Sequence, residues 1–235
     1  VGVEVHLALH AAGQGVERDV AQAVRRLRTA VERGHDGARV DLAELYLEAP
    51  GDLKARPDEA LALLRAAHEN GDKTAARELA ELYETGRGSV TQDIQRAASL
   101  YAEAADTGDV AAQQSLGRLL IETSVDSVQE PQRGVDYLKK AVASGDRAAR
   151  TKLGELYLTG RHVEYAPQKA VNMLRKSADA GDDYAMYLLA DAYREGRGVS
   201  TDPERAVTWL KRAAARGHDG AMARLPDLEI FAKEH

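Results

Sequence analysis

The chain has 235 residues, enough for one large domain or two small ones, and a formal net charge of −6. That balance argues against a broad basic face for nucleic acid, and the lack of cysteine removes disulfides, thiolate metal sites and cysteine nucleophiles. No run of 18 apolar residues offers a membrane span; 30% charged and 44% hydrophobic residues, rich in Ala, Leu, Glu and Arg, favour helix.

In chain order, VGVEVHLALHAAG at 1–13 opens inside a helical pattern, with Val1 in place of Met and no signal-like segment. It reads as a piece of a longer protein whose targeting signal or lipid anchor, if any, lies elsewhere. His6 and His10 share a helical face, a spacing that can hold zinc. HLALH lacks the Glu of HExxH and a third ligand, so two ordinary helix histidines are the preferred reading.

From there a period takes over. Gly34, Gly71, Gly108, Gly145, Gly181 and Gly217 close alanine-rich segments at spacings of 37, 37, 37, 36 and 36 residues. Tyr46, Tyr83, Tyr157 and Tyr193 stand 12 residues after a marker glycine, with Leu120 in that place once. Pro57, Pro131, Pro167 and Pro203 stand 14 residues before the next one. The repeats run about 1–35, 36–72, 73–109, 110–146, 147–182 and 183–218, with a capping helix at 219–235 bent or interrupted by Pro226. All belong to one domain over 1–235.

Each period predicts two helices. In the first, as in AARELAELYETG at 75–86, Leu79, Leu82 and Tyr83 share a face. In the second, as in PERAVTWLKRAAARG at 203–217, Ala206, Leu210 and Ala213 do so. The same frame gives Ala60, Leu64 and Ala67, and Gly134, Leu138 and Ala141. Proline fits the first turn, Asp202 fits an N-cap, and the marker glycines fit the left-handed residue past the C-terminus. Ala43, Ala80, Gly117, Gly154 and Ala190, three before each tyrosine position, predict close helix approach. One pair of helices cannot bury its apolar face alone, so the repeats must stack. Longer connections at 49–56 and 123–130 are expected to project from one edge. The fourth repeat, with Leu120 for Tyr and Gly134 for Ala, is the least regular.

LGELYLTGR followed by PQKAVNMLRKSADAGD, and LADAYREGRGVSTDPERAVTWLKRAAARGH, resemble the Sel-one-like repeat (SLR) family, a branch of the tetratricopeptide-like helical repeats. The resemblance covers nearly the whole chain. It implies an all-α fold, a right-handed α–α superhelical solenoid of about six repeats plus a C-terminal capping helix. It implies a non-enzymatic scaffold that takes a protein partner, as a helix or extended peptide, in a concave groove. In such repeats the first helices line that groove, at six before, two before and one after the tyrosine. Here these are Val40, Glu44 and Leu47; Arg77, Glu81 and Glu84; Gln114, Arg118 and Ile121; Thr151, Glu155 and Leu158; Tyr187, Asp191 and Arg194, with Tyr184 one turn earlier. Leu47, Ile121, Leu158 and Tyr187 among charges would suit an apolar partner.

YAPQKAV at 165–171 is similar to a stretch in the SLR lipoprotein of periplasmic alginate secretion, which favours exopolysaccharide assembly and, slightly, a periplasmic over a cytoplasmic setting. The alternatives are a regulator that sequesters a signalling partner, and a module binding carbohydrate or peptide. No cofactor, metal or catalytic residue is expected. GRGSV at 86–90 and GRGVS at 196–200 follow helices and are read as terminators, not phosphate cradles. His35 and His218 recur in GHDGA and are read as structural; His162, in place of a loop glycine, has no evident partner. Arg87, Arg161 and Arg197 recur as loop arginines that solvent or an anionic partner could meet.

Overall fold

The computed structural model describes residues 20–49, 54–87 and 90–234; His6, His10 and the opening pattern lie outside them. The described residues form twelve helices and no strand. The chain divides into two compact units, Val1–Ala112 and Gln113–His235. The first contains α1 (Val20–Glu32), α2 (Asp36–Glu48), α3 (Pro57–Glu69), α4 (Lys73–Thr85), α5 (Ile94–Asp106) and the start of α6 (Val110–Glu122). The second holds the rest of α6, then α7 (Pro131–Ala143), α8 (Arg147–Thr159), α9 (Pro167–Asp179), α10 (Asp183–Glu195), α11 (Pro203–Ala214) and α12 (Asp219–Glu234).

Within each unit a helix packs mainly on its neighbours in sequence. The tightest pairs are α2 with α3 and α4 with α5 in the first unit, and α8 with α9 and α10 with α11 in the second. First helices of adjacent repeats also touch, α2 with α4 and α8 with α10. This is the repeat solenoid anticipated from the glycine and proline phase.

The punctuation is local chemistry. The six marker glycines adopt φ between 82° and 93°, the left-handed turn that ends each second helix. Proline begins α3, α7, α9 and α11, where its missing N–H costs nothing. Asp72, Asp146, Asp182 and Asp202 are side-chain N-caps; the Asp202 carboxylate accepts from the Arg205 amide at 2.9 Å. Pro226 lies inside α12 without ending it: the helix runs for 16 residues, so of the bend or interruption expected there, the interruption is absent.

The core repeats as well. Ala60, Leu64 and Ala67, and Ala206, Leu210 and Ala213, are buried at equivalent places on the second helices. Each fully buried leucine contributes about 1.5–3 kcal/mol. The irregular fourth repeat has a packing reason. A Cβ on Gly117 would lie 2.9 Å from the Gly134 carbonyl oxygen, and one on Gly134 would lie 2.7 Å from that of Gly117. The two glycines let α6 and α7 approach backbone to backbone.

The 123–130 connection is tied down. The 123–130 loop buries Val128 and returns the Glu130 amide to the Leu120 carbonyl at 3.0 Å. Three of the four recurring tyrosines are stitched to the repeat before, while Tyr157 accepts from Lys169 of its own repeat at 2.8 Å. Arg28, Arg65 and Arg175 donate to the hydroxyls of Tyr46, Tyr83 and Tyr193, each 18 residues later, at 2.9, 2.6 and 2.5 Å. A buried phenol needs such a partner.

Candidate functional site

The first helices present little surface. In α2, Ala38, Val40, Leu42, Ala43, Leu45, Tyr46 and Leu47 are all buried, so only a narrow strip faces out. A helix apolar on most of its circumference is an interior helix. The groove expectation is therefore corrected for its aliphatic members. Leu47, Ile121 and Leu158 are 7%, 1% and 2% exposed, and Val40 and Thr151 are buried with them. Ile121, Leu158, Val40 and Thr151 sit in the packing between helices, and Leu47 shows only an edge, to the cavity beside Arg77.

The polar members form two strips, one in each unit. In the first unit Arg77 pairs with Glu78 at 2.6 Å and with Asp109 at 3.4 Å. A cavity of about 280 Å³ opens beside it, with Glu44, Glu48, Arg77, Glu78, Glu81 and Arg87 on its walls together with Leu47 and Leu82. Burial pushes the Glu78 carboxyl up to about 7; Arg77 opposes this, and Glu44 and Glu81 add to it. Glu84 accepts from the Tyr101 hydroxyl at 2.9 Å.

In the second unit Gln114 and Arg118 are half-buried on α6, and Arg118 pairs with Glu122 at 3.7 Å. Lys152, on α8, bridges Glu122 at 2.5 Å and Glu155 at 2.9 Å. Burial alone would lower the lysine pKa; hydrogen bonds to the two glutamates outweigh it and raise it. On α10, Tyr184 turns its hydroxyl toward Glu155, and the residue stays 39% exposed. Its pKa is pushed up to about 12 by burial and then by the Glu155 charge, so the phenol stays protonated.

Beside Tyr184 stand two more rings in near-parallel planes, Tyr187 at 6.4 Å and His218 at 6.0 Å. Tyr187 and His218 stack at 4.7 Å. Arg224 of α12 lies over Tyr187 at 5.1 Å and clamps Asp191 through two hydrogen bonds of 3.1 and 2.7 Å. Hydrogen bonding to Asp191 raises the Arg224 guanidinium above its ordinary value, against the effect of burial. Arg194 completes the cluster at 3.3 Å from Asp191. A cavity of about 340 Å³ adjoins it, lined by Asp191, Arg194, Leu210, Arg224, Asp227 and Leu228. The structure thus brings Glu155, Tyr184, Tyr187, Asp191 and Arg194 onto one surface, with their charges already paired.

Six copies of the Sel1 repeat model match the chain, at residues 6–35, 38–72, 74–109, 110–146, 147–182 and 183–218. The chain belongs to the Sel1-repeat family. Solved Sel1-type structures agree. A uropathogenic Escherichia coli protective antigen, c5321, with an SLR fold, superposes with TM-score 0.85 at 28% identity, over 97% of this chain and 49% of that one. This chain therefore spans about half the length of that antigen. A Sel1 repeat protein from Oxalobacter formigenes gives 0.76 at 27% identity, over 92% and 86%. The Pseudomonas aeruginosa immunity protein PA5088 gives 0.50 at 26% identity, over 76% and 66%. Among curated proteins, none matches the sequence.

Two features of this Sel1-repeat chain escaped sequence reasoning. The tyrosine clamp was visible as Arg28, Arg65 and Arg175 recurring in phase, but only the tyrosines drew notice. The role of His218 is the second: its Nδ1 accepts from the Ala221 amide at 3.1 Å and so caps α12. His35 occupies the same place before α2 without a side-chain cap hydrogen bond.

The loop residues find partners inside the chain. Arg87 donates to the Leu47 carbonyl, and Arg197 pairs with Glu195 at 2.8 Å. Arg161 donates to His162 Nε2 at 3.2 Å, and the His162 carbonyl accepts from Gln132 at 3.2 Å, so the partner missing from the sequence reading exists. Among the described residues no group of three or more His, Asp or Glu is placed to hold a metal, and no helix is long and apolar enough to cross a membrane.

Proposed function

We propose that this Sel1-repeat chain is a protein-binding scaffold whose second unit takes its partner on the face of Glu155, Tyr184, Asp191 and Arg194. Sel1 repeats generally serve as interaction modules and not as enzymes. The observation that carries the reading is the half-exposed Tyr184 set among paired charges on a rigid helical face. A side chain held by its neighbours loses little entropy when a partner binds. The solved relatives include a protective antigen and an immunity protein, so the fold by itself does not select a partner.

Affinity capture tests this. Wild type and a Tyr184→Ala, Arg194→Glu double variant serve as baits in native extract, with circular dichroism confirming equal helicity. Loss of the same captured proteins from the variant supports the reading; an unchanged set refutes it. A role in exopolysaccharide export is the finer proposal. It rests on YAPQKAV at 165–171, where Tyr165 is 55% exposed just before α9. Capture that yields no cell-envelope protein overturns that role and leaves the scaffold reading intact.

A further inference from the structure

In the second unit, cations of the chain itself lie over the rings of Tyr137, Tyr157, Tyr187, Tyr193 and Trp209, between 4.0 and 5.9 Å from their centroids. Tyr184, like Tyr165 ahead of α9, departs from this habit. Among the described residues no guanidinium or ammonium lies over it, although it is the half-exposed ring on the partner-facing surface. Its surroundings lean acidic. Glu155 faces its hydroxyl, Lys152 bridges Glu155 and Glu122, Arg118 also reaches Glu122, and Asp182 and Asp183 open the helix that carries it. Against these four carboxylates stand three cations, Lys152, Arg118 and Arg147, the last 3.9 Å from Asp182, so one negative charge is left over.

We infer that Tyr184 is the seat for an arginine or lysine side chain carried on an extended segment of a partner protein. The inference rests on the scaffold reading and names the chemistry of its partner. A cation over the open ring face meets the negative quadrupole of the phenol. The surplus of carboxylates lowers its energy further, and a guanidinium there can donate toward Glu155. The seat is preorganised. The near-parallel rings of Tyr187 and His218 flank Tyr184, and His218 is held in place by accepting the Ala221 amide at Nδ1. The cluster around Asp191 is already neutralised by Arg224 and Arg194, which leaves the Tyr184 end as the acidic end of this surface.

The test uses a fluorescein-labelled peptide of four Gly-Ser-Arg repeats, its Gly-Ser-Gln counterpart and cellohexaose, titrated against the whole chain at low and high salt. The Arg peptide should saturate and weaken with salt, and the Gln peptide should not saturate. Tyr184→Leu should weaken the Arg peptide about two- to five-fold, the worth of an exposed cation–π contact. Tyr184→Phe should bind like wild type, and Glu155→Gln should weaken binding. Equal binding of the Gln peptide, indifference to Tyr184→Leu, or cellohexaose saturating the site in place of the peptide would each overturn the inference. If these fail while captured proteins still depend on Tyr184 and Arg194, only the basic-partner assignment falls. If capture is also indifferent, the scaffold reading falls with it.

Discussion

Replacing Gly117 by alanine should destabilise the protein, although in most helices that change does the opposite. Helix propensity alone returns about 1 kcal/mol on going from Gly to Ala. At Gly117 the new methyl would sit 2.8 Å from Leu138 Cγ and 2.9 Å from the Gly134 carbonyl oxygen. Leu138 is fully buried, and a carbonyl cannot retreat without moving α7. Overpacking of this kind costs about 1–3 kcal/mol. The net is a loss of about 1 kcal/mol, or a fall of about 0.5 M in the urea midpoint at an m-value near 2 kcal/mol/M. Gly37 in α2 is the control, because a Cβ there meets nothing within 4 Å. Gly37→Ala should raise the midpoint by a few tenths of a molar unit or less. Both variants are read by circular dichroism in urea, with wild type alongside. If Gly117→Ala unfolds at or above the wild-type midpoint, the close approach of α6 and α7 is not the reason for the two glycines.

Ala49 and His162 hold φ of 46° and 61°, where other connections use glycine, so Ala49→Gly and His162→Gly should each raise thermal stability by about 1 kcal/mol. Asp182 caps α10 through the Ala185 amide at 2.8 Å and accepts from the Thr151 hydroxyl at 3.0 Å; Asp182→Ala should cost about 1–2 kcal/mol in chemical denaturation. Glu78 titrates higher in the folded chain than its ordinary 4.5, so the native state holds the extra proton and stability contributed at this residue falls as pH rises from about 4.5 to about 7. Glu78→Gln should flatten that slope and stabilise the protein at pH 8; a denaturation series showing the same slope in both proteins would contradict the burial of this carboxyl.

Most of the architecture was legible because it rests on punctuation. Glycine past each helix end, proline at the first turn and the aspartate caps are local requirements that a single sequence displays. The site was only half legible. Counting positions from the tyrosine, with Tyr184 one turn earlier on the same ladder, brought Glu155, Tyr184, Asp191 and Arg194 together as neighbours, since helical geometry fixes their bearing. The same counting misplaced Leu47, Ile121 and Leu158. They stand one residue after the tyrosine position, at the edge between strip and core, and contacts between neighbouring first helices decide which side claims them. Spacing along one helix holds no record of its neighbour. The capping role of His218 was hidden for a similar reason: His35 carries the same GHDGA context and makes no such bond.

The arginine-to-tyrosine stitch has a consequence for how such chains lengthen. Its donor lies on the second helix of one repeat and its acceptor on the first helix of the next. Tandem duplication of a period that carries both partners, such as 36–72 with Tyr46 and Arg65, therefore brings a donor for the unit that follows and an acceptor for the unit before it. No buried phenol is orphaned at either junction, so gain or loss of whole periods is structurally neutral at this contact, whereas a break between Arg65 and Tyr83 strands both halves.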